Sequence, residues 1–108
     1  MKIEILYFEG CPNYEPTLKL LNQVLEEEGI HTCVQKIDVS TDESVRENRF
    51  LGSPSIRING ADIETAARDS RDHGKKCRIY NNTGAPGGIP SKSMIREALL
   101  KAQRNHLC

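Results

Sequence analysis

The sequence lacks the features that identify several large classes of proteins. Its four cysteines include no closely spaced pair, which argues against the zinc and iron–sulfur sites that such pairs announce. Lys and Arg together number 15, as do Asp and Glu, so the chain has no basic excess of the kind that nucleic-acid binding requires. No apolar run is long enough to span a membrane. Neither a nucleic acid nor a membrane is therefore expected as a partner.

The beginning of the chain also lacks the pattern of a secretory signal. Residues 1–10 interrupt their apolar run with a charged residue, and no small-residue cleavage site follows. A cytoplasmic location is therefore expected, where cysteines stay reduced and a disulfide framework is not predicted. At 108 residues the chain is predicted to form one domain, residues 1–108.

The first half of the chain has the pattern of a βαβ unit. Residues 2–8 carry apolar side chains at both odd and even positions, which is typical of a central strand covered on both faces. A helix over residues 14–28 and a strand over residues 31–39 follow, and such a unit pairs its two strands in parallel. Next comes a short helix over residues 42–50, with Ser40 as its predicted N-cap in a capping box.

The second half adds a hairpin, an insertion and a last helix. Asn-Gly at residues 59–60 predicts a type I′ turn between a third strand and a return strand over residues 61–64. The insertion, residues 65–90, reads as a polar loop, a strand candidate at residues 77–80 and a Gly- and Pro-rich turn. Ser91 is predicted to cap the last helix. The fold class is therefore α/β, with a small mixed sheet of about four strands and helices on both faces.

Cys11 is the main candidate for chemistry. It stands between the first strand and the first helix, where free backbone N–H groups and the helix dipole favour a thiolate. Pro12 suits a first helical turn, because proline has no N–H to leave unpaired. Open α/β sheets place their sites beyond the C-terminal ends of parallel strands, and Cys11 lies at such an end. The alternative is that Cys11 is only a small residue in a turn.

The other cysteines are interpreted one by one. Cys77 is the candidate for a remote resolving thiol, because basic residues flank it and positive charge favours a thiolate. The alternative for Cys77 is a buried strand cysteine, since free cysteine is among the most buried residue types. Cys33 lies inside the second predicted strand and is expected in the core. Cys108 is expected to be exposed.

Two short stretches of the sequence resemble segments of proteins with the thioredoxin fold. One is the Cys11-Pro12 start of the first helix, and the other is Ser53-Pro54 before the third strand, a candidate cis bond. The stretch PSIRINGADI is similar to the glutaredoxin segment in which a cis-proline precedes a strand and an Asn-Gly hairpin. The resemblance covers most of the chain and extends to small uncharacterised proteins of the thioredoxin family. It implies a three-layer α/β/α fold with elements in the order β-α-β-α-β-β-α and an insertion before the last helix.

The resemblance also implies roles for individual residues. The thioredoxin active site is C-x-x-C, whose first cysteine is the nucleophile; Cys11 matches it, whereas Tyr14 stands at the second position. Without the second cysteine, two possibilities remain. Cys11 acts alone, as in monothiol glutaredoxins, or a cysteine elsewhere in the chain, such as Cys77, resolves the mixed disulfide. The residue before the cis-proline, Ser53, would offer its backbone to a substrate strand. The substrate-binding positions implied in this way are Pro12, Tyr14, Ser53 and Pro54.

These observations predict thiol–disulfide exchange by Cys11, with no cofactor and no metal centre. The partner would be a protein or a low-molecular-weight thiol or disulfide. One alternative is a protein that binds Hg(II), As(III) or Cu(I) through thiolates, which requires Cys11 and Cys77 to lie close together. The other is a thioredoxin-fold interaction domain without catalysis, which the missing second cysteine favours.

Overall fold

The described part of the chain forms a four-stranded sheet, a separate two-stranded sheet and three α-helices. The computed structural model describes residues 1–82 and 85–106; the prediction for Cys108 lies outside these residues. In chain order the elements are β1 (Ile3–Tyr7), α1 (Tyr14–Glu27), β2 (Val34–Asp38), α2 (Asp42–Asn48), β3 (Ser55–Ile58), β4 (Ala61–Asp62), a 3₁₀ turn (Thr65–Ala67), β5 (Tyr80–Asn82), β6 (Ala85–Gly87) and α3 (Lys92–His106).

The main sheet is mixed, with strand order β2-β1-β3-β4. Strand β1 pairs with β2 in parallel, from Ile3 opposite Val34 to Tyr7 opposite Asp38. It pairs with β3 in the antiparallel sense on its other side. The prediction of a parallel βαβ unit is confirmed, and so is the central position of the first strand.

The hairpin between β3 and β4 forms at the Asn-Gly dipeptide. Asn59 has φ 53° and Gly60 has φ 85°, the positive values that a type I′ turn requires at both central residues. The return strand is shorter than predicted, because β4 ends at Asp62. The carboxylate of Asp62 accepts a hydrogen bond from the backbone N–H of Glu64 at 2.8 Å, which turns the chain away from the ladder.

Two hydrophobic clusters form on the alternating side chains of β1. Ile3 and Ile5 belong to the larger cluster, which includes side chains of α1, β3 and α3. Leu6 has the opposite parity and belongs to the smaller cluster, which includes Val45 of α2. Because successive side chains of a strand point to opposite faces, both faces of this strand are covered. The residues of the larger cluster are Ile3, Ile5, Leu21, Val24, Leu25, Ile56, Ile58, Ile63, Tyr80, Ile95 and Leu99.

The N-cap of α2 differs from the predicted one by one residue. The Oγ1 atom of Thr41 accepts a hydrogen bond from the backbone N–H of Ser44 at 3.0 Å. The side chain of Ser40 instead hydrogen-bonds to Asp38 at the end of β2. The prediction of Ser40 as the N-cap was wrong because its hydroxyl donates a hydrogen bond to Asp38, at the end of the preceding strand. At α3 the prediction is confirmed, since Ser91 accepts from the backbone N–H of Met94 at 3.1 Å.

The insertion contains more regular structure than the sequence predicts. Residues 77–80 make one isolated bridge, between Cys77 and Ser53, and the strand β5 begins only at Tyr80. It pairs with β6 as an antiparallel hairpin inside the stretch predicted as a turn. The side chain of Asn82 stabilises this hairpin by donating to the carbonyl of Ile89 at 3.0 Å and accepting from the N–H of Ser91 at 2.8 Å.

Cys33 is exposed, so its prediction as a core residue was wrong. Strand β2 begins one residue later, at Val34, and lies at an edge of the sheet. Val34 packs against the larger cluster. Successive residues of an extended chain point to opposite sides, so Cys33 turns away from that cluster. In residues 1–82 and 85–106, no helix is long and apolar enough to cross a membrane.

Candidate functional site

Cys11 lies in the tight connection between β1 and α1. Its backbone N–H donates to the carbonyl of Phe8 at 3.2 Å, and its carbonyl accepts from the N–H of Tyr14 at 3.4 Å. Gly10 has φ 91°, which lets the chain turn at once after the strand. Cys11 is a free cysteine, and 8% of the residue's surface is exposed. The nucleophile candidate is therefore a mostly buried residue at the end of a central strand.

The first helix begins after Pro12, so Pro12 is not part of it. The N-cap is Asn13, whose side chain makes no capping hydrogen bond, and the helix begins at Tyr14. Pro12 lies in the turn before the helix and is exposed, so its predicted place in the first helical turn was wrong. The proline inside the first turn is Pro16. Cys11 thus precedes the helix by one short turn.

Tyr14 is held against β1 by a second tyrosine. The rings of Tyr7 and Tyr14 stack with their centroids 3.8 Å apart and their planes 9° apart. Burial and the neighbouring Tyr7 raise the pKa of Tyr14 above its usual value. The side chain at the second position of a C-x-x-C motif is therefore a neutral aromatic ring. Its stacking ties the start of α1 to the end of the strand and fixes the intervening turn that carries Cys11.

Ser53 and Pro54 enter the sheet at the end where the Cys11 connection leaves it. The pairing of Leu6 with Ser55 puts the residues before Ser55 next to those after Leu6. The Ser53–Pro54 peptide bond is cis, as predicted. The Oγ atom of Ser53 is buried and has no hydrogen-bond partner in the described part of the chain, an uncommon state for a buried hydroxyl.

The backbone of Ser53 is already paired with another segment of the same chain. Its N–H donates to the carbonyl of Lys76 at 2.8 Å, and its carbonyl accepts from the N–H of Arg78 at 3.0 Å. Gly52 makes this approach possible: a Cβ atom there would lie 3.1 Å from the Lys76 carbonyl and from the Cβ of Arg78. The segment 76–78 therefore lies across Ser53 as a short parallel bridge.

A buried ion pair holds this segment in place. The guanidinium of Arg78 donates to both carboxylate oxygens of Asp62, at 2.6 and 2.7 Å. The two side chains are 4% and 6% exposed. Arg78 also donates to the Oγ of Ser55 at 3.1 Å and pairs with Glu64 at 3.3 Å. Its guanidinium carbon lies 4.1 Å from the centroid of the Tyr80 ring. These contacts join the insertion to the hairpin of β3 and β4.

Arg78 stays charged and Tyr80 stays neutral at neutral pH. Burial lowers the pKa of Arg78, but the hydrogen bonds and charge of Asp62 more than offset this and hold that pKa above its usual value. Burial raises the pKa of Tyr80 well above its usual range, and the charge of Arg78 offsets only part of the effect. The neutral Tyr80 hydroxyl donates to the carbonyl of Pro54 at 2.5 Å.

Cys77 lies on the outer side of the same segment. Along residues 77–80, exposed and buried positions alternate: Cys77 and Ile79 are exposed, whereas Arg78 and Tyr80 are buried. Ile79 is 68% exposed and is the large hydrophobic residue that the fold leaves uncovered in the described chain. The alternative of a buried strand cysteine is therefore contradicted. The bridge to Ser53 brings Cys77 to the end of the sheet that carries the Cys11 connection.

The other end of the insertion reaches this connection too. Gly88 packs so closely on the side chain of Asn13 that a Cβ atom would overlap the Asn13 amide. Lys75 places its ammonium group 5.7 Å from the centroid of the Phe8 ring. Segments on both sides of β5 therefore border the turn that carries Cys11.

Sequence reasoning identified the thiol and the proline but missed the residues that hold them together. In the sequence, Arg78 was noted only as a basic neighbour of Cys77, and Asp62 and Tyr80 had no predicted role. The signal that was present is the period of two in residues 77–80, which predicts Arg78 and Tyr80 on one side. A buried arginine then requires a carboxylate, and β4 supplies the one at Asp62.

The chain was compared with protein families, with curated proteins and with solved structures. Residues 13–99 match a family described as "Domain of unknown function (DUF2703)". The chain belongs to this family. The matched part includes Tyr14, Ser53, Pro54 and Cys77 and begins just after Cys11. No curated protein matches the chain, and no solved structure matches it.

The metal hypothesis gains no support from side-chain clusters. Within residues 1–82 and 85–106, no group of three or more His, Cys, Asp or Glu side chains is arranged to hold a metal ion.

The ion pair between Arg78 and Asp62 predicts a large effect of Asp62→Asn. Removing the Asp62 carboxylate leaves the buried guanidinium with Glu64, at 3.3 Å, as its remaining carboxylate partner, so the free energy of unfolding should fall by about 1.5–3 kcal/mol. Urea denaturation followed by circular dichroism measures it. The matched control is Asp72→Asn, which removes the solvent-exposed pair with Lys76 and should cause no measurable change. Equal effects of the two substitutions would contradict the assigned role of Asp62.

The raised pKa of Tyr80 predicts a loss of stability at alkaline pH. The unfolded chain releases the tyrosine proton near pH 10, whereas the folded protein retains it. The stabilising contribution is therefore complete below about pH 10 and declines as the pH rises through the folded pKa. Denaturation midpoints measured across this range should decline less steeply in Tyr80→Phe than in the wild type. Parallel declines would show that Tyr80 does not titrate differently in the two states.

Proposed function

We propose that this protein is a thioredoxin-like thiol–disulfide exchange protein in which Cys11 is the attacking thiolate. The observation that carries the proposal is the position of Cys11. It lies in the connection from the end of a central strand to the first helix, at the end of the sheet where Ser53 and cis-Pro54 enter.

The architecture supports the thioredoxin-like part of the proposal. The sheet order β2-β1-β3-β4 combines one parallel pair with antiparallel neighbours. The cis peptide bond immediately precedes β3. One hydrophobic cluster includes α1 and α3, and the other includes α2. In the three-layer fold that we propose, these two clusters are the interfaces between the sheet and its two helical layers.

The proposed reaction is exchange through a mixed disulfide. The Cys11 thiolate attacks one sulfur of a disulfide, a new S–S bond forms to Cys11, and the other sulfur leaves as a thiolate that takes a proton from water. A second thiolate then attacks the mixed disulfide and releases the bound sulfur. If the second thiol is Cys77, it attacks the Cys11 sulfur, and Cys11 and Cys77 finish as a disulfide. If it is a low-molecular-weight thiol, it attacks the substrate half of the adduct, finishes in a small disulfide and frees the Cys11 thiolate.

Tyr14 decides where the second thiol comes from. A ring stacked on Tyr7 occupies the position where a C-x-x-C protein carries its second sulfur. The mixed disulfide is therefore resolved by a low-molecular-weight thiol or by Cys77. The exposure of Cys77 and its bridge to Ser53 support the latter route as a hypothesis.

The proposal predicts fast alkylation of Cys11. If Cys11 is the attacking nucleophile, it should react with iodoacetamide at pH 7 about tenfold faster than glutathione does. Peptide mapping by mass spectrometry measures the rate at each cysteine. Exposed Cys33 is the control within the chain and should react at the rate of a free thiol. Alkylation of Cys11 no faster than that of glutathione would remove the basis of the proposal and favour a non-catalytic interaction domain.

A further inference from the structure

We infer that the disulfide exchanged at Cys11 belongs to a low-molecular-weight compound and not to a polypeptide. This inference rests on the proposed function and specifies its substrate class. Two independent observations carry it: the burial of the Cys11 residue, and the hydrogen bonds that the chain itself makes to the neighbouring backbone of Ser53.

The burial of Cys11 limits what can reach it. A thiolate attacks along the axis of the S–S bond, so the attacking sulfur, the central sulfur and the leaving sulfur must lie nearly in line. Only 8% of the Cys11 surface is open to solvent. A small disulfide can approach such a mostly buried residue end-on. Each sulfur of a disulfide in a folded protein is attached to a polypeptide chain, which meets the residues around Cys11.

The backbone next to the connection offers no place for an incoming strand. A polypeptide that docks by strand addition needs free N–H and C=O groups on the receiving chain. Both groups of Ser53 are bonded to the segment 76–78, and the carbonyl of Pro54 accepts from the Tyr80 hydroxyl. The segment 76–78 of the chain itself therefore occupies the docking position that the thioredoxin resemblance assigns to a substrate.

The segment that fills this position is firmly fixed. Lifting it from Ser53 would separate the guanidinium of Arg78 from the carboxylates of Asp62 and Glu64. Just before this segment, a hydrogen bond from the N–H of Gly74 to the carbonyl of Phe50, at 2.9 Å, holds the chain. A polypeptide substrate would have to compensate for all of these contacts, whereas a small disulfide leaves them intact.

The reaction is then exchange between a small disulfide and a small thiol. The Cys11 thiolate forms an S–S bond to one half of the disulfide, and the other half departs as a thiolate and is protonated by water. A low-molecular-weight thiol, the reductant of this scheme, attacks the adduct and regenerates the Cys11 thiolate. The products are one thiol and one new small disulfide, so atoms and electrons balance.

The test compares two probes that release the same group. Each is a disulfide of thionitrobenzoate, one with 2-mercaptoethanol and one with the cysteine of a short peptide, and release of thionitrobenzoate is followed by absorbance. The protein carries Cys33→Ser, Cys77→Ser and Cys108→Ser, so that Cys11 is its reacting thiol. The ratio of the two rates is divided by the same ratio for glutathione. We expect Cys11 to favour the small probe by about tenfold or more after this correction.

The outcomes separate the inference from the function on which it rests. A corrected ratio near one overturns the inference and leaves the proposed function standing. Release with neither probe contradicts the proposed function itself. Adding Asp62→Asn should loosen the segment 76–78 and move the ratio toward one, whereas Asp72→Asn should leave it unchanged. The ratio of the variant with Asp62 intact decides the inference even if Asp62→Asn fails to fold.

Discussion

The site depends on one buried ion pair. The contact between Arg78 and Asp62 joins a long insertion to β4, a strand of two residues that has few ladder hydrogen bonds of its own to fix the insertion. A buried pair contributes less to net stability than its geometry suggests, because both charges lose their hydration. Its effect here is on specificity, since it leaves the insertion one favourable position. In that position the segment lies across Ser53, Tyr80 reaches Pro54, and Cys77 faces outward.

The ion pair and the thiol act on the same small region from different sides. The stacked tyrosines fix the turn that carries Cys11, and the insertion closes the backbone of Ser53 next to it. A nearly buried thiol with a closed neighbouring edge favours chemistry on small molecules. The outer side of the insertion exposes Cys77 and Ile79.

The sequence predicted those parts of the fold that depend on local patterns. The first strand, the Asn-Gly turn, the cis bond before Pro54 and the Ser91 cap each have a signal within a few residues. The missed features depend on distant partners. Arg78 is buried because Asp62 lies opposite it, and Cys33 is exposed because β2 lies at an edge. The local sequence therefore pointed to Cys11, but it did not predict that the segment 76–78 pairs with the backbone of Ser53 beside it.

Amide hydrogen exchange tests most directly whether the chain itself closes the site. The N–H groups of Ser53 and Arg78 donate across the bridge, at 2.8 and 3.0 Å. If the ion pair locks the segment, both amides should exchange as slowly as those of Ile5 and Ile56 in the sheet, and should speed up together in Asp62→Asn. Fast exchange at Ser53 and Arg78 in a protein whose sheet amides stay protected would contradict this account, because the edge beside Cys11 would then be open.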